Sequence, residues 1–305
     1  MLYIIISGRI RKRKIRKISK YLTKGLNSKS IEHQFVTSLY KGHGIEIARD
    51  AVENGANSIL VVGGDGSVND AINGIMTSKS DTDKSKIKIG VIPQGKGNDW
   101  GRYWKITKRY KRSINRFLNG ETTAVDLGRV TYYRNKEKKE HYFINSVGFG
   151  LDCRVVGIVE KLKHYLGSFG LLYFIALLIA IFKHKESKVK AKDDKTTYEE
   201  NIYTINIANG CYSGGGMKQN PKADPTDGIF DVMIMKKPKL QYITTALTCL
   251  FNGTLMLHPA IKSFRTHKVE LLGTEYFPFE ADGVIVDTFA PVQVDIIPKG
   301  IMMVH

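Results

Sequence analysis

Cysteine is scarce: three residues, at positions 153, 211 and 249, in a chain of 305. Their odd number and wide spacing match neither a disulfide framework nor a zinc-ligand pattern, which points to a reducing compartment. Long apolar runs are also missing. The longest, Leu171 to Phe182, has twelve residues, short of the ~20 that a bilayer-spanning helix needs. The basic residues follow the apolar run Leu2–Ile6 instead of preceding it, the wrong order for a secretory signal, so none is expected there. A cytoplasmic protein is the expectation. Acidic residues are the minority charge, 29 against 47 Lys plus Arg, and the resulting +18 concentrates polyanions near the surface. Nucleic acid, anionic membrane and phosphorylated small molecules are the candidate partners. With 42% hydrophobic and 25% charged residues the chain has the composition of a packed globular protein, so disorder is excluded as a general description.

The first third alternates short β-branched runs with helical patterns. Leu2–Ile6, Ser58–Val62 and Ile87–Ile92 read as strands; Arg9–Leu22, Ile45–Gly55 and Val68–Met76 read as helices. Strands separated by helices imply parallel pairing and an α/β layer. From Asp126 the pattern changes to strand-like runs at 130–133, 142–147, 202–208, 229–235, 268–272, 284–289 and 292–297. One helical interval, about 154 to 183, interrupts them. Such a series predicts an antiparallel sandwich or barrel. The expected division is therefore 1–125, an α/β nucleotide-binding domain, and 126–305, a β-sandwich substrate domain, with a return of the last segment to the first domain left open. Lys183–Lys195 reads as a charged, exposed connection.

Gly63-Gly64-Asp65-Gly66-Ser67-Val68-Asn69-Asp70 follows the 58–62 strand and opens a helix. Glycines let a backbone turn sharply and approach a ligand, and free N–H groups at a helix start favour phosphate. The spacing is neither a dinucleotide fingerprint nor a P-loop. A second turn of this kind, Pro93-Gln94-Gly95-Lys96-Gly97-Asn98-Asp99, follows the next strand. Consecutive strand–turn–helix units place their turns at one carboxyl edge of a parallel sheet. Asp65 and Asp99 are thereby expected at one cleft, where a Mg²⁺ with substrate phosphates could join them.

These two motifs together resemble the catalytic domain of the diacylglycerol kinase and sphingosine kinase family, in particular the bacterial soluble lipid kinases. Asp126-Leu-Gly, Phe143-Ile-Asn145, Gly148-Phe-Gly-Leu-Asp152, the segment 206–216, Asp224-Pro-Thr-Asp227-Gly228 and Glu280-Ala-Asp282-Gly283 follow in the family's order, so the resemblance covers nearly the whole chain. It implies a phosphofructokinase-like α/β domain followed by an antiparallel β-sandwich, and an ATP-dependent kinase acting on a lipid alcohol such as diacylglycerol. It further implies catalytic roles for Asp65, Asp99 and Glu280, with Glu280 as general base on the lipid hydroxyl. Nucleotide contacts are expected from Ser7, Gly8, Arg9, Thr37, Gly63, Gly64, Asp65, Gly66, Ser67, Asn69, Gly95, Lys96, Gly97 and Asn98. Asp227, with Asp224 nearby, resembles a structural Mg²⁺ site.

The chain departs from the family pattern in three places. Ile5-Ile6-Ser7-Gly8 stands where Asn-Pro-x-Ser-Gly is usual, Lys96 replaces a Thr, and Val284 replaces the Glu of Asp-Gly-Glu. An NAD kinase, which shares the Gly-Gly-Asp-Gly loop, is the enzymatic alternative; a non-catalytic lipid or nucleotide binder is the other. Arg9–Lys20 and Arg102–Arg116 are strongly basic. No nucleic-acid motif accompanies them, so the expected partner is an anionic membrane surface touched peripherally, with a homodimer left open. The apolar segment 165–182 reads as buried core or as the wall of a lipid-chain pocket.

Overall fold

A computed structural model describes residues 1–166, 172–193, 196–273 and 276–305. The chain divides into two compact units, Met1–Asp126 with Pro298–His305, and Leu127–Ile297.

In the first unit β1 (Leu2–Ile6), α1 (Lys12–Asn27), β2 (His33–Thr37), α2 (His43–Glu53), β3 (Ser58–Gly63), α3 (Asp65–Met76) and β4 (Lys88–Pro93) alternate, followed by α4 (Asp99–Tyr103) and α5 (Tyr110–Asn119). The strands pair in parallel in the order β2-β1-β3-β4. β1 is buried along its whole length, as a central parallel strand with covered faces must be, which explains its unbroken Leu-Tyr-Ile-Ile-Ile. α1 buries Ile18, Leu22 and Leu26, spaced four apart, and turns its Lys and Arg outward. β5 (Thr122–Arg134) carries the chain into the second unit and β16 (Phe289–Val304) brings it back. Met302 and Met303 pair with Lys88 and Ile89 in parallel, the Trp100 indole donates to the Met303 sulfur at 3.3 Å, and Lys299 N–H donates to Asp126 at 2.7 Å.

The second unit contains β6 (Glu137–Phe143), β7 (Ser146–Gly150), α6 (Leu151–Leu166), α7 (Leu172–Lys183), β8 (Ser187–Lys192), β9 (Thr197–Ile202), β10 (Thr204–Ala208), β11 (Phe230–Met235), α8 (Ile243–Asn252), β12 (Ile261–Thr266), β13 (Lys268–Leu272), β14 (Phe279–Ala281) and β15 (Val284–Val286). One antiparallel sheet runs β12-β11-β10-β7-β14-β15; β16, β13, β8, β9, β5 and β6 form the other. Their inner faces share one core in which Phe143 stacks on Phe230 at 5.8 Å. α6, α7 and α8 bury a second cluster with Leu151, Leu177, Met233 and Leu250. The α/β unit and the antiparallel β unit agree with the fold class expected from sequence.

Several elements differ from the sequence reading. The charged 183–195 interval contains β8, where exposed Lys188, Lys190 and Lys192 alternate with buried Val189 and Ala191 at the period of a strand. The run 142–147 is divided between β6 and β7, because the Asp282 carboxylate takes the N–H groups of Ile144, Asn145 and Ser146 at 2.8, 2.9 and 3.3 Å. The helical interval 154–183 resolves into α6 and α7, and α8 adds a helix where Ile and Thr residues mimic a strand. Of the apolar 165–182 segment, residues 167–171 lie outside the described residues; α7 buries Leu172, Ala176, Leu177 and Ala180.

Candidate active site

At the carboxyl edge of the parallel sheet the residues after β1, β2, β3 and β4 meet. Ser7 N–H donates to Val62 O at 3.0 Å, Gly8 N–H to the Ser38 hydroxyl at 3.2 Å, and Gln94 N–H to Gly63 O at 2.7 Å. The two glycine turns touch backbone to backbone, for a Cβ on Gly64 would lie 2.9 Å from Gly95 Cα. A side chain at either position would part them. A Cβ on Gly66 would meet nothing within 4 Å, so the start of α3 borders open space at this glycine, and a helix start favours phosphate.

Asp65 is the first residue of α3 and its buried carboxylate reaches α4, accepting Trp100 N–H at 3.3 Å. Burial pushes its carboxyl up, while the amides of residues 98 to 100 pull it back. Asp99, also buried, opens α4 and lies 3.8 Å from the Arg102 guanidinium. Asn98 adopts left-handed backbone, φ 54°, and its side-chain amide closes the turn by exchanging two 2.8 Å bonds with Gly95. Asn69 is buried inside α3 against Asn73. Lys96, Arg9 and Thr37 are exposed, and the Lys96 carbonyl accepts the Lys108 ammonium at 3.0 Å. Asp70, one helical turn beyond Ser67, is raised to about 6 by burial against the opposing pull of Arg9 and Lys41. α1 and α5 pack together through Tyr21 and Tyr110, whose rings are 6.2 Å apart, so the two basic stretches adjoin on one surface.

In the second unit β14 and β7 place Glu280 opposite Gly148. Glu280 is fully buried and accepts Gly283 N–H at 3.0 Å; burial, then the charges of Asp152 and Asp282, push its carboxyl well above the usual range. Asp152, also buried, is raised to about 6 by desolvation although Asn206 and Gln219 donate to it at 2.9 and 3.3 Å. Gly148 is small by necessity: a Cβ there would fall 2.5 Å from the Asp152 side chain. Asp282, at φ 48°, anchors the turn behind Glu280 through its three amide bonds. Asp152, Thr204 and Gln219 form the polar end of a cavity of about 60 Å³ whose other walls include Leu177, Met217 and Met233.

Residues 2–130 match the family model described as the diacylglycerol kinase catalytic domain, and residues 145–305 match the YegS C-terminal NAD kinase beta sandwich-like domain. The chain belongs to the diacylglycerol kinase family with a YegS-type second domain. Among its relatives, YtlR of Bacillus subtilis (strain 168) is 24% identical over 284 residues, 89% of each chain. The diacylglycerol kinase of Staphylococcus carnosus (strain TM300) is 26% identical over 237 residues, 77% of this chain and 72% of that one. The crystal structure of a diacylglycerol kinase from Bacillus anthracis str. Sterne superposes with a TM-score of 0.72 at 15% identity, over 100% of this chain and 96% of that one. Yeast NADH kinase shares the fold more distantly, with a TM-score of 0.53 at 9% identity, over 100% and 83%.

Within this diacylglycerol kinase family chain the two carboxylates of the first unit satisfy what a nucleotide-borne Mg²⁺ asks of a protein, one or two carboxylates beside phosphate oxygens. The Asp224–Asp227 turn does not. Asp224 Oδ1 accepts the N–H and hydroxyl of Thr226 at 3.0 and 2.7 Å, Asp227 Oδ1 accepts Ile229 N–H at 3.2 Å, and Arg265 sits on Asp227 Oδ2. Among the described residues no group of three or more His, Cys, Asp or Glu could hold a metal. Asp70, Asp152 and Asn206 fall inside the quoted motifs and Gln219 just beyond one, but none carries a role in the sequence reading; their burial and partners single them out.

Proposed function

We propose that the chain is an ATP-dependent lipid kinase that transfers the γ-phosphoryl group to the hydroxyl of a diacylglycerol-like alcohol. The observation that carries the reading is the buried Asp152 at the polar end of an apolar cavity, its charge acting on the buried Glu280. A polar headgroup and an alkyl chain need those two environments side by side, and Met217, Met233 and Met235 are adaptable enough to make room for the chain. In the first unit the open space at Gly66 suits a nucleotide phosphate, with Asp65 and Asp99 at its edge. Bound Mg²⁺ supplies neutralisation of phosphate charge. Glu280 accepts the alcohol proton as its oxygen bonds to the γ-phosphorus and the bond to ADP breaks, leaving a phosphorylated lipid.

A membrane setting is part of this reading. Near the cavity, Phe182, Tyr242 and Leu257 are exposed, Leu257 to 83%, amid exposed Lys183, Lys185, Lys237 and Lys239. Among the described residues no helix is long and apolar enough to cross a membrane, and a peripheral approach would use such a face.

The test is incubation with γ-labelled ATP, Mg²⁺ and a total lipid extract, wild type beside Asp65→Asn. A labelled lipid that the variant fails to produce supports the reading. Labelled NADP from added NAD, with no labelled lipid, would replace it by the NAD kinase alternative.

A further inference from the structure

The turn at 224–228 and the strands beside it contain a cation of the chain's own. β11 and β12 pair antiparallel with Asp231 directly opposite Arg265, so the register itself puts the guanidinium among the carboxylates. Arg265 Nε lies 3.4 Å from Asp231 Oδ2 while the far end of the same guanidinium pairs with Asp227 Oδ2. Asp231 is only 6% exposed, and desolvation raises its carboxyl against the pull of Arg265. A planar fork of five donors can span two carboxylates in this way, which a hydrated point charge cannot.

We propose that Arg265 is the resident counter-ion of the Asp227–Asp231 pair, and that it holds the 224–231 segment in place of the Mg²⁺ implied by the resemblance at Asp227. Three constraints favour the guanidinium over a metal. Mg²⁺ demands near-octahedral oxygen ligation at about 2.0–2.1 Å, and Oδ1 of Asp224 and Oδ1 of Asp227 already accept hydrogen bonds from Thr226 and Ile229. A divalent ion on Asp227 would have to displace a positive group that the strand register holds there. The pair also differs from an ordinary surface salt bridge, worth about 0–1 kcal/mol, because one of its carboxylates is buried and would be left uncompensated if the arginine were lost.

The experiment is thermal unfolding of the full nucleotide-free chain in EDTA, in Mg²⁺ and in Ca²⁺, for wild type and Arg265→Met. The expected result is a wild-type Tm indifferent to all three conditions and a Tm several degrees lower in Arg265→Met. A saturable rise of the wild-type Tm with Mg²⁺ overturns the proposal, and so does an unchanged Tm in Arg265→Met. Should that variant fail to fold, Mn²⁺ binding followed by electron paramagnetic resonance decides on folded protein alone. Wild type and Asp227→Asn are expected to bind Mn²⁺ identically. One equivalent bound by wild type and lost in Asp227→Asn would mean that a metal, and not Arg265, belongs at Asp227.

Discussion

Glu280 and Asp152 are two carboxyls sharing one dry place. With its carboxyl raised by burial and by the Asp152 charge, Glu280 becomes available as a base only as pH rises, so kcat/KM should fall on the acid side well above the ordinary carboxylate range of about 4. Asp152→Asn removes the repelling charge, and the acid limb is then expected to move to lower pH; an unmoved limb would show that another group controls it. The same substitution has a stability sign. A carboxyl raised in the folded state to about 6 favours folding below its unfolded value and loses that contribution as pH climbs through 6. The Tm advantage of Asp152→Asn over wild type should therefore grow between about pH 4 and 6. Glu280→Gln is expected to lower kcat roughly 10²–10⁴-fold with the ATP KM little changed. Lys96 stands exposed in the second glycine turn. If it meets a nucleotide phosphate as a point charge, Lys96→Thr should flatten the salt dependence of the ATP KM, whereas superimposable curves for the two proteins would place Lys96 in solvent.

Elements whose local signals agree were legible before any coordinates. β1, β3 and β4 are apolar runs bounded by turns, and the glycine motifs that follow two of them locate the carboxyl edge of the sheet. β2, His-Gln-Phe-Val-Thr, and β8 escaped, since β2 has no fully buried residue, β8 is mostly exposed, and pairing with neighbours makes both strands. The interruption between β6 and β7 was also invisible, because its cause, Asp282, lies more than 130 positions away. In the candidate site the glycine turns and Glu280 sit in contiguous motifs. The partnership of Asp152 with Asn206 and Gln219 arises only on folding. α1 and α5 supply an element-level prediction: their adjoining basic faces, with the exposed apolar tips near α7 and α8, should make vesicle binding rise with anionic lipid content and fall with salt. Flotation with vesicles of phosphatidylcholine alone or mixed with phosphatidylglycerol checks this. Leu257→Ser should weaken retention on the anionic vesicles at high salt, and equal partitioning onto both kinds at low salt would remove the membrane from the picture.

At the scale of the molecule, +18 distributed over 305 residues gives long-range attraction to anions, and specificity is left to the two sites. The first unit includes residues 298–305, and the buried Met303 side chain carries the Trp100 indole. Met303→Ala is expected to cost roughly 2–5 kcal/mol, read by chemical denaturation; a loss below about 1 kcal/mol would mean that the returning strand contributes little packing.

That contact joins positions 203 residues apart, and its consequence is temporal. During synthesis the ribosome releases β1 to β4 long before their neighbour from β16 exists, so the edge of β4 waits bare while the whole second unit emerges. An open parallel edge is a template for pairing with other chains. The interval between the two events is therefore when this protein should depend most on chaperones. A nascent chain arrested before residue 298 should bind them more strongly than one carrying residue 305 beyond the exit tunnel.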